Sequence, residues 1–101
     1  MLQLNAYAKA ALKCSKDHGF EEDPVSVDYL MKKLMLIVTE VAEAAEDVRK
    51  DNRAHFGEEL ADICIRVFAL AARMEIDLEE EILRKHAKNV DRPLLHGGKL
   101  A

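Results

Sequence analysis

The sequence is poor in the residues that interrupt helices. Its 101 residues include only four glycines and two prolines, the residue types most often found in tight turns. Half of the residues are hydrophobic and 34% are charged, a mixture that excludes a disordered chain. At this length we expect a single domain, residues 1–101, with a modest core. Hydrophobic residues recur at helical spacing and no segment predicts a strand, so the expected fold class is all-α.

The sequence also lacks features that are typical of membrane-spanning, nucleic-acid-binding and secreted proteins. The longest apolar run, residues 34–38, is far too short to cross a bilayer. The net charge is −4 and no basic tract favours nucleic-acid binding. Met1 leads directly into an amphipathic pattern, without the features of a secretory signal. Cys14 and Cys64 have neither a metal-ligand spacing nor a disulfide framework, which suits a reducing compartment. We therefore expect a cytoplasmic protein that binds neither nucleic acid nor membrane.

Four helices are predicted from the periodicity of apolar residues. Ser26 and Asp77 are the expected N-caps of the second and fourth helices, and Gly19 is the expected C-terminal cap of the first. The predicted helices cover residues 4–16, 26–50, 53–74 and 77–92. The predicted core face of the second helix consists of Val27, Leu30, Leu34, Ile37, Val38, Val41, Ala45 and Val48.

The third predicted helix is apolar on two nearly opposite sides. One side carries Phe56, Leu60, Ile63, Val67, Leu70 and Met74, and the other carries Ile65, Phe68 and Ala72. A helix that is apolar on both sides is expected to be buried on both sides. Four helices in one chain rarely supply two such neighbours. We therefore predict a four-helix bundle completed by oligomerisation, as a homodimer or homotetramer.

Two pairs of carboxylates are the most informative feature of the sequence. Glu40 with Glu43, and Glu59 with Asp62, are each three residues apart and so share a helix face. Both pairs lie at equal distances from Asp51, in a polar run that predicts a turn. Folding the chain there would bring four negative charges together, which requires a cation among them. Oxygen-only ligands favour Mg²⁺, for which Mn²⁺ can substitute.

The ordinary alternative is that these acidic residues lie on solvated helix faces. Glu46 and Asp47 are assigned to such a face. A redox di-iron site in a helical bundle is excluded because it requires Glu-x-x-His. None of the four histidines has a glutamate three residues before it.

A third group of residues is suited to phosphate. Lys85, Asn89 and Arg92 follow one another at helical spacing on one face of the fourth predicted helix. An ammonium, an amide and a guanidinium provide donors for phosphate oxygens. Cations near a helix C-terminus are also favourable without any ligand. Beside a magnesium site, however, phosphate binding is the preferred interpretation.

These segments resemble a known family. Residues 34–44, which contain Glu40 and Glu43, resemble the first acidic motif of the MazG-like, all-α nucleoside triphosphate pyrophosphohydrolases. Residues 58–62 resemble the E-x-x-D motif that follows it. Residues 85–93, followed by His-Gly-Gly-Lys at 96–99, are similar to the small bacterial and phage-encoded members. The resemblance covers roughly residues 26–99, and the order and spacing of the motifs make it fairly specific.

The resemblance implies hydrolysis of a nucleoside triphosphate between the α and β phosphates, giving a monophosphate and pyrophosphate, as in house-cleaning of the nucleotide pool. It implies that the four paired carboxylates bind Mg²⁺ and that the Lys85, Asn89 and Arg92 face holds phosphate. Many members have two adjacent glutamates at the start of the first motif, whereas Thr39 precedes Glu40 here. The water-activating base therefore stays open between Glu40 and Glu43.

The sequence is also compatible with two alternatives. The chain could be a non-catalytic helical interaction module, or the same fold could act on another phosphorylated metabolite. The sequence does not select a nucleobase. Four side chains could line a base pocket, although packing is the ordinary role of the aromatic ones: Tyr7, Phe20, Tyr29 and Lys32.

Overall fold

A computed structural model describes residues 3–21 and 23–92 of the chain. Over these ranges it contains four helices and no strand: α1 Leu4–Asp17, α2 Val27–Arg49, α3 Phe56–Arg73 and α4 Leu78–Val90. The prediction of an all-α chain with four helices is confirmed, and each predicted helix end lies within three residues of the observed one. None of the described helices has the length and apolar character needed to cross a membrane.

The predicted caps define the helix ends. The Ser26 hydroxyl accepts a hydrogen bond from the backbone N–H of Tyr29 at 3.0 Å. The Asp77 carboxylate accepts one from the backbone N–H of Glu80 at 3.1 Å. Gly19 has a φ of 80° directly after α1, the left-handed conformation that glycine adopts without a steric cost. Local sequence signals are therefore sufficient to place these boundaries.

Helix α3 is at the centre of the fold. It contacts α1, α2 and α4, whereas α3 is the only helix against which α2 packs within the described residues. The hydrophobic core of this part of the chain is small and consists mainly of alanines. Its buried members are Ala8, Tyr29, Ala44, Ala69 and Ala71. Short side chains allow close approach of the helices, but they bury little apolar surface.

The predicted core face of α2 is wrong for the single chain. Lys33, Glu40 and Asp47 all lie on the side of α2 that meets α3, together with Tyr29 and Ala44. At 100° per residue, the centre of the predicted apolar face is turned by roughly 105° from that side. Most of it remains in solvent as an exposed α2 stripe, with side chains 37–75% exposed. The stripe comprises Val27, Met31, Leu34, Val38, Val41 and Val48.

The second apolar side of α3 is covered within the chain. The Phe68 ring meets the Tyr7 ring of α1 edge to face, with centroids 6.2 Å apart. Helix α1 therefore occupies the position that we assigned to a second subunit, although Ile65 stays 41% exposed. The packing of α1 on this side of α3 therefore does not require an oligomer. Exposed apolar residues remain on the other side of α3, where Phe56 is 38% and Leu60 47% exposed, as well as along α2.

Candidate functional site

The antiparallel pair of α2 and α3 forms the candidate site. The Nε–H of Arg66 on α3 donates a hydrogen bond to Oε1 of Glu40 on α2 at 3.0 Å. The Nη2 of Arg66 forms an ion pair with the same oxygen at 2.9 Å. One end of the same helix pair holds a second contact, between Asp47 and Glu59. Both contacts are centred on residue 53, close to the turn predicted at Asp51. The predicted reversal of the chain therefore does bring the two acidic motifs onto facing helices.

Two of the predicted carboxylates line a cavity of about 520 Å³. Glu40 and Asp62 contribute to its wall together with Arg66. Tyr29, Lys33 and Glu40 line it along the side of α2 that faces α3. Tyr29 and Glu40 are 11 positions apart, or about 16 Å along the helix. The acidic motifs thus border a space large enough for a small phosphorylated ligand.

The surroundings of Glu59 disfavour its ionised form. Its pKa is raised by a hydrogen bond shared with the Asp47 carboxyl group, by burial, and by the negative charges of Asp47 and Glu43. When both carboxyls are ionised neither can donate, and the buried Oε1 of Glu59 has no hydrogen-bond partner. A cation would relieve both the repulsion and the missing partner.

Asp47 is a residue that the sequence interpretation missed. We assigned it to a solvated face, but it is partly buried beside Glu59. Its position four residues after Glu43 was the available signal, because i and i+4 share a helix face. The acidic motif of α2 therefore extends by one helical turn towards the chain reversal at Asp51.

The donor chemistry fits Mg²⁺, but a complete coordination shell is not preassembled. Glu40, Glu43, Glu59 and Asp62 supply only oxygen donors, which a hard divalent cation prefers. Within the described residues, no three His, Cys, Asp or Glu side chains converge closely enough to hold a metal ion. Side-chain rotation is therefore needed before these carboxylates could share one ion.

The predicted phosphate-binding face is not brought to the carboxylates of the same chain. Helix α4 contacts α1 and α3 but not α2, and Lys85, Asn89 and Arg92 are exposed and absent from the cavity wall. The start of α4 is fixed to α1: the Leu4 N–H donates to Glu79 and the Asn5 amide donates to Asp77, at 3.1 and 2.7 Å. His96 and Lys99 lie outside the described residues.

A buried ionic cluster fixes the other part of the cavity wall. Glu21, with its side chain only 4% exposed, accepts hydrogen bonds from Ser15 at 2.6 Å, Lys33 at 3.1 Å, Arg73 at 3.1 Å and the Tyr29 hydroxyl. Burial alone would raise the pKa of Glu21, but these hydrogen bonds and the Lys33 charge lower it overall. Burial and Glu21 raise the pKa of Tyr29 to about 12. The cluster joins the connection after α1 to α2 and α3.

This cluster also changes the interpretation of the possible base pocket. Tyr29 is buried and bonded to Glu21, and Tyr7 packs on Phe68, so both aromatic rings have packing roles. Lys32 is paired with Asp23 at 3.4 Å. Phe20 is 69% exposed and lines the cavity. Of the four candidates, Phe20 is the aromatic side chain available to a ligand there.

Comparison with known proteins supports the resemblance seen in the motifs. A family model described as the MazG-like family matches residues 27–100, which include all four predicted metal ligands and the α4 face. Searches of curated proteins and of solved structures gave no match. The matched region covers most of the chain, and the protein therefore belongs to the MazG-like family.

Proposed function

We propose that the protein is a Mg²⁺-dependent nucleoside triphosphate pyrophosphohydrolase of the cytoplasm. It would cleave between the α and β phosphates to release a nucleoside monophosphate and pyrophosphate. The observation that carries this proposal is the position of two carboxylate motifs on facing helices beside a cavity of about 520 Å³. Membership of the MazG-like family supports the same reaction class.

Glu40, Glu43, Glu59 and Asp62 are the residues that would hold Mg²⁺. Bound there, the ion would neutralise triphosphate charge and stabilise the pyrophosphate leaving group. Helices α2 and α3 hold these side chains on a rigid frame, which favours productive positioning. Because Thr39 precedes Glu40, the first acidic motif has no second glutamate directly before Glu40. Either Glu40 or Glu43 would accept a proton from the attacking water.

We propose that a second copy of the chain completes the site. The exposed α2 stripe is a continuous apolar surface of the kind that marks an interface. The α4 face, with Lys85 and Asn89, is exposed and is not part of the wall of the cavity that Glu40 and Asp62 line. In a dimer or tetramer, this face could supply phosphate donors to the carboxylates of a neighbouring copy. The exposed α2 stripe and the exposed α4 face both support this proposal.

A substrate screen tests the proposed reaction. Standard and damaged nucleoside triphosphates would be incubated with the protein and Mg²⁺, and pyrophosphate release measured. We expect turnover of at least one nucleotide, supported also by Mn²⁺, and loss of most activity in Glu43→Gln and Asp62→Asn. Glu81→Gln, on the exposed side of α4, is a matched control that should retain activity. Absence of turnover across the panel, without Mg²⁺ binding, would instead favour a helical interaction module.

A further inference from the structure

The Arg66–Glu40 ion pair lies at the candidate site. The proposed function requires Glu40 to bind Mg²⁺, and a triphosphate bound there would attract the positive charge of Arg66. Arg66 donates a hydrogen bond from Nε to Oε1 of Glu40 at 3.0 Å, and its Nη2 lies 2.9 Å from the same oxygen. The Glu40 side chain is 20% exposed and that of Arg66 is 41% exposed. The pair therefore lies at the edge of the cavity rather than in the core. An ion pair at this depth contributes little to stability and can be exchanged for another partner.

Arg66 is the cation best placed to exchange its partner. It lines the same cavity as Glu40 and Asp62. Lys33 also lines this cavity, but its ammonium group is bound to the Phe20 carbonyl oxygen at 2.9 Å and to Glu21 at 3.1 Å. Removing Lys33 from these partners would leave a buried carboxylate less well paired, which is costly. Arg66 would lose only a partly exposed contact.

We propose that Arg66 is a substrate-binding residue that exchanges Glu40 for the triphosphate. With neither metal nor nucleotide bound, the Arg66 guanidinium neutralises Glu40 and so weakens the attraction of the acidic cluster for Mg²⁺. When a triphosphate enters the cavity, its oxygens accept hydrogen bonds from the N–H groups of the same guanidinium. A guanidinium suits this exchange because its planar donors match carboxylate and phosphate equally well.

This exchange has a thermodynamic consequence, and it rests on the proposed Mg²⁺-dependent function. Triphosphate binding releases Glu40 for the metal, and metal binding releases Arg66 for the triphosphate. Each ligand therefore increases the affinity for the other, by the same factor. Direct binding of Mg²⁺ to triphosphate oxygens also couples the two ligands, so the exchange is tested by the part of the coupling that is lost when Arg66 is replaced.

Calorimetry on the full chain tests the exchange with two probes, Mg²⁺ alone and inorganic tripolyphosphate. We expect Arg66→Gln to bind Mg²⁺ alone roughly three- to tenfold more tightly, because a positive charge has been removed from the cluster. It should bind tripolyphosphate in the presence of Mg²⁺ at least about tenfold more weakly. Arg66→Lys should keep the Mg²⁺ affinity of the wild type but bind tripolyphosphate less tightly, since it keeps the charge and loses the paired donors.

Lys13→Gln is the matched control, because it removes one positive charge from an exposed pair with Asp17 on α1. It should leave both affinities unchanged. Unchanged or weaker Mg²⁺ binding in Arg66→Gln, or unchanged tripolyphosphate binding, would overturn the exchange while leaving the proposed function intact. A wild-type protein that binds no Mg²⁺ would overturn the proposed function and the exchange together. Circular dichroism of each variant verifies that the helices are retained.

Discussion

At the scale of single residues, the acidic side chains are not equivalent. Glu40 has a cationic partner in Arg66, whereas Glu59 faces Asp47 and Glu43 and has a raised pKa for that reason. A uniform cluster of four repelling carboxylates is therefore too simple a description. Removing the charge should therefore affect stability differently at Glu40 and at Glu59.

We predict that Glu59→Gln raises the Tm of the metal-free protein, because it relieves repulsion by Asp47 and Glu43. Glu40→Gln should leave the stability unchanged or lower it by no more than about 1 kcal/mol, since it removes a partly exposed ion pair. Thermal melts in a chelating buffer measure both. A lower Tm for Glu59→Gln would show that this carboxylate has a stabilising partner.

Glu21 should be the most important carboxylate for stability. Glu21→Gln leaves Lys33 and Arg73 without a buried counter-charge, and should cost about 2–4 kcal/mol of unfolding free energy at pH 7. Glu81→Gln is the control, because its pair with Arg84 is 56% exposed on both sides and should contribute less than about 1 kcal/mol. Urea unfolding of both variants provides the comparison.

The effect of Glu21 should also depend on pH in a definite direction. Its folded-state pKa is below the ordinary value of 4.5. Its ionised form therefore stabilises the fold above pH 4.5, and this contribution is lost as the pH falls through the folded-state pKa. The stability difference between wild type and Glu21→Gln should be constant above about pH 5.5 and shrink below 4.5. A difference that grows on acidification would contradict this assignment.

At the scale of helices, α2 and α3 are each followed by a residue other than glycine in the left-handed conformation. Asp51 follows α2 with a φ of 57°, and Glu75 follows α3 with a φ of 56°. In each case the next backbone N–H closes the helix: Asn52 donates to the Asp47 carbonyl at 2.8 Å and Ile76 to the Ala71 carbonyl at 2.9 Å. These ends have the geometry that glycine usually provides.

We predict that Asp51→Gly and Glu75→Gly each raise the unfolding free energy by up to about 1 kcal/mol, because glycine has no Cβ to oppose a positive φ. Gly19→Ala should lower the unfolding free energy by about 1 kcal/mol, because Gly19 has a φ of 80°. Thermal unfolding of the three variants at neutral pH measures these changes. Destabilisation by both glycine substitutions would mean that the side chains of Asp51 and Glu75 contribute more than their backbone conformation costs.

The helices could be predicted from the sequence because their signals are local. The Ser26 and Asp77 caps, the Gly19 end and the apolar spacing each act within a few residues. The orientation of α2 could not be predicted in this way, because its more apolar side remains exposed and its polar side, with Lys33 and Glu40, meets α3. The role of Glu21 was likewise unpredictable, since its partners Lys33 and Arg73 lie 12 and 52 positions away.

At the scale of the whole molecule, the exposed α2 stripe is expected to be an interface between copies. Leu34→Lys and Val38→Lys should each convert an oligomer to monomers, because a charge would have to be buried on association. Ala10→Lys, on an exposed position of α1, should leave the assembly unchanged. Light scattering after size-exclusion chromatography distinguishes these outcomes. A wild-type monomer at micromolar concentration would contradict the interface.

Phe68→Lys provides a contrast within the same experiment. Phe68 packs against Tyr7 of its own chain, so a lysine there should disrupt the contact between α1 and α3. We expect loss of helical structure or a lower Tm rather than clean dissociation. A folded monomer carrying Phe68→Lys would instead place this residue in the interface.

The identity of the reaction products tests the central claim most directly. The best substrate from the nucleotide screen would be incubated with the protein and Mg²⁺, and its products followed by phosphorus NMR. The proposed function predicts equal amounts of nucleoside monophosphate and pyrophosphate, with no reaction when Mg²⁺ is removed by a chelator. Orthophosphate with a nucleoside diphosphate would contradict cleavage between the α and β phosphates.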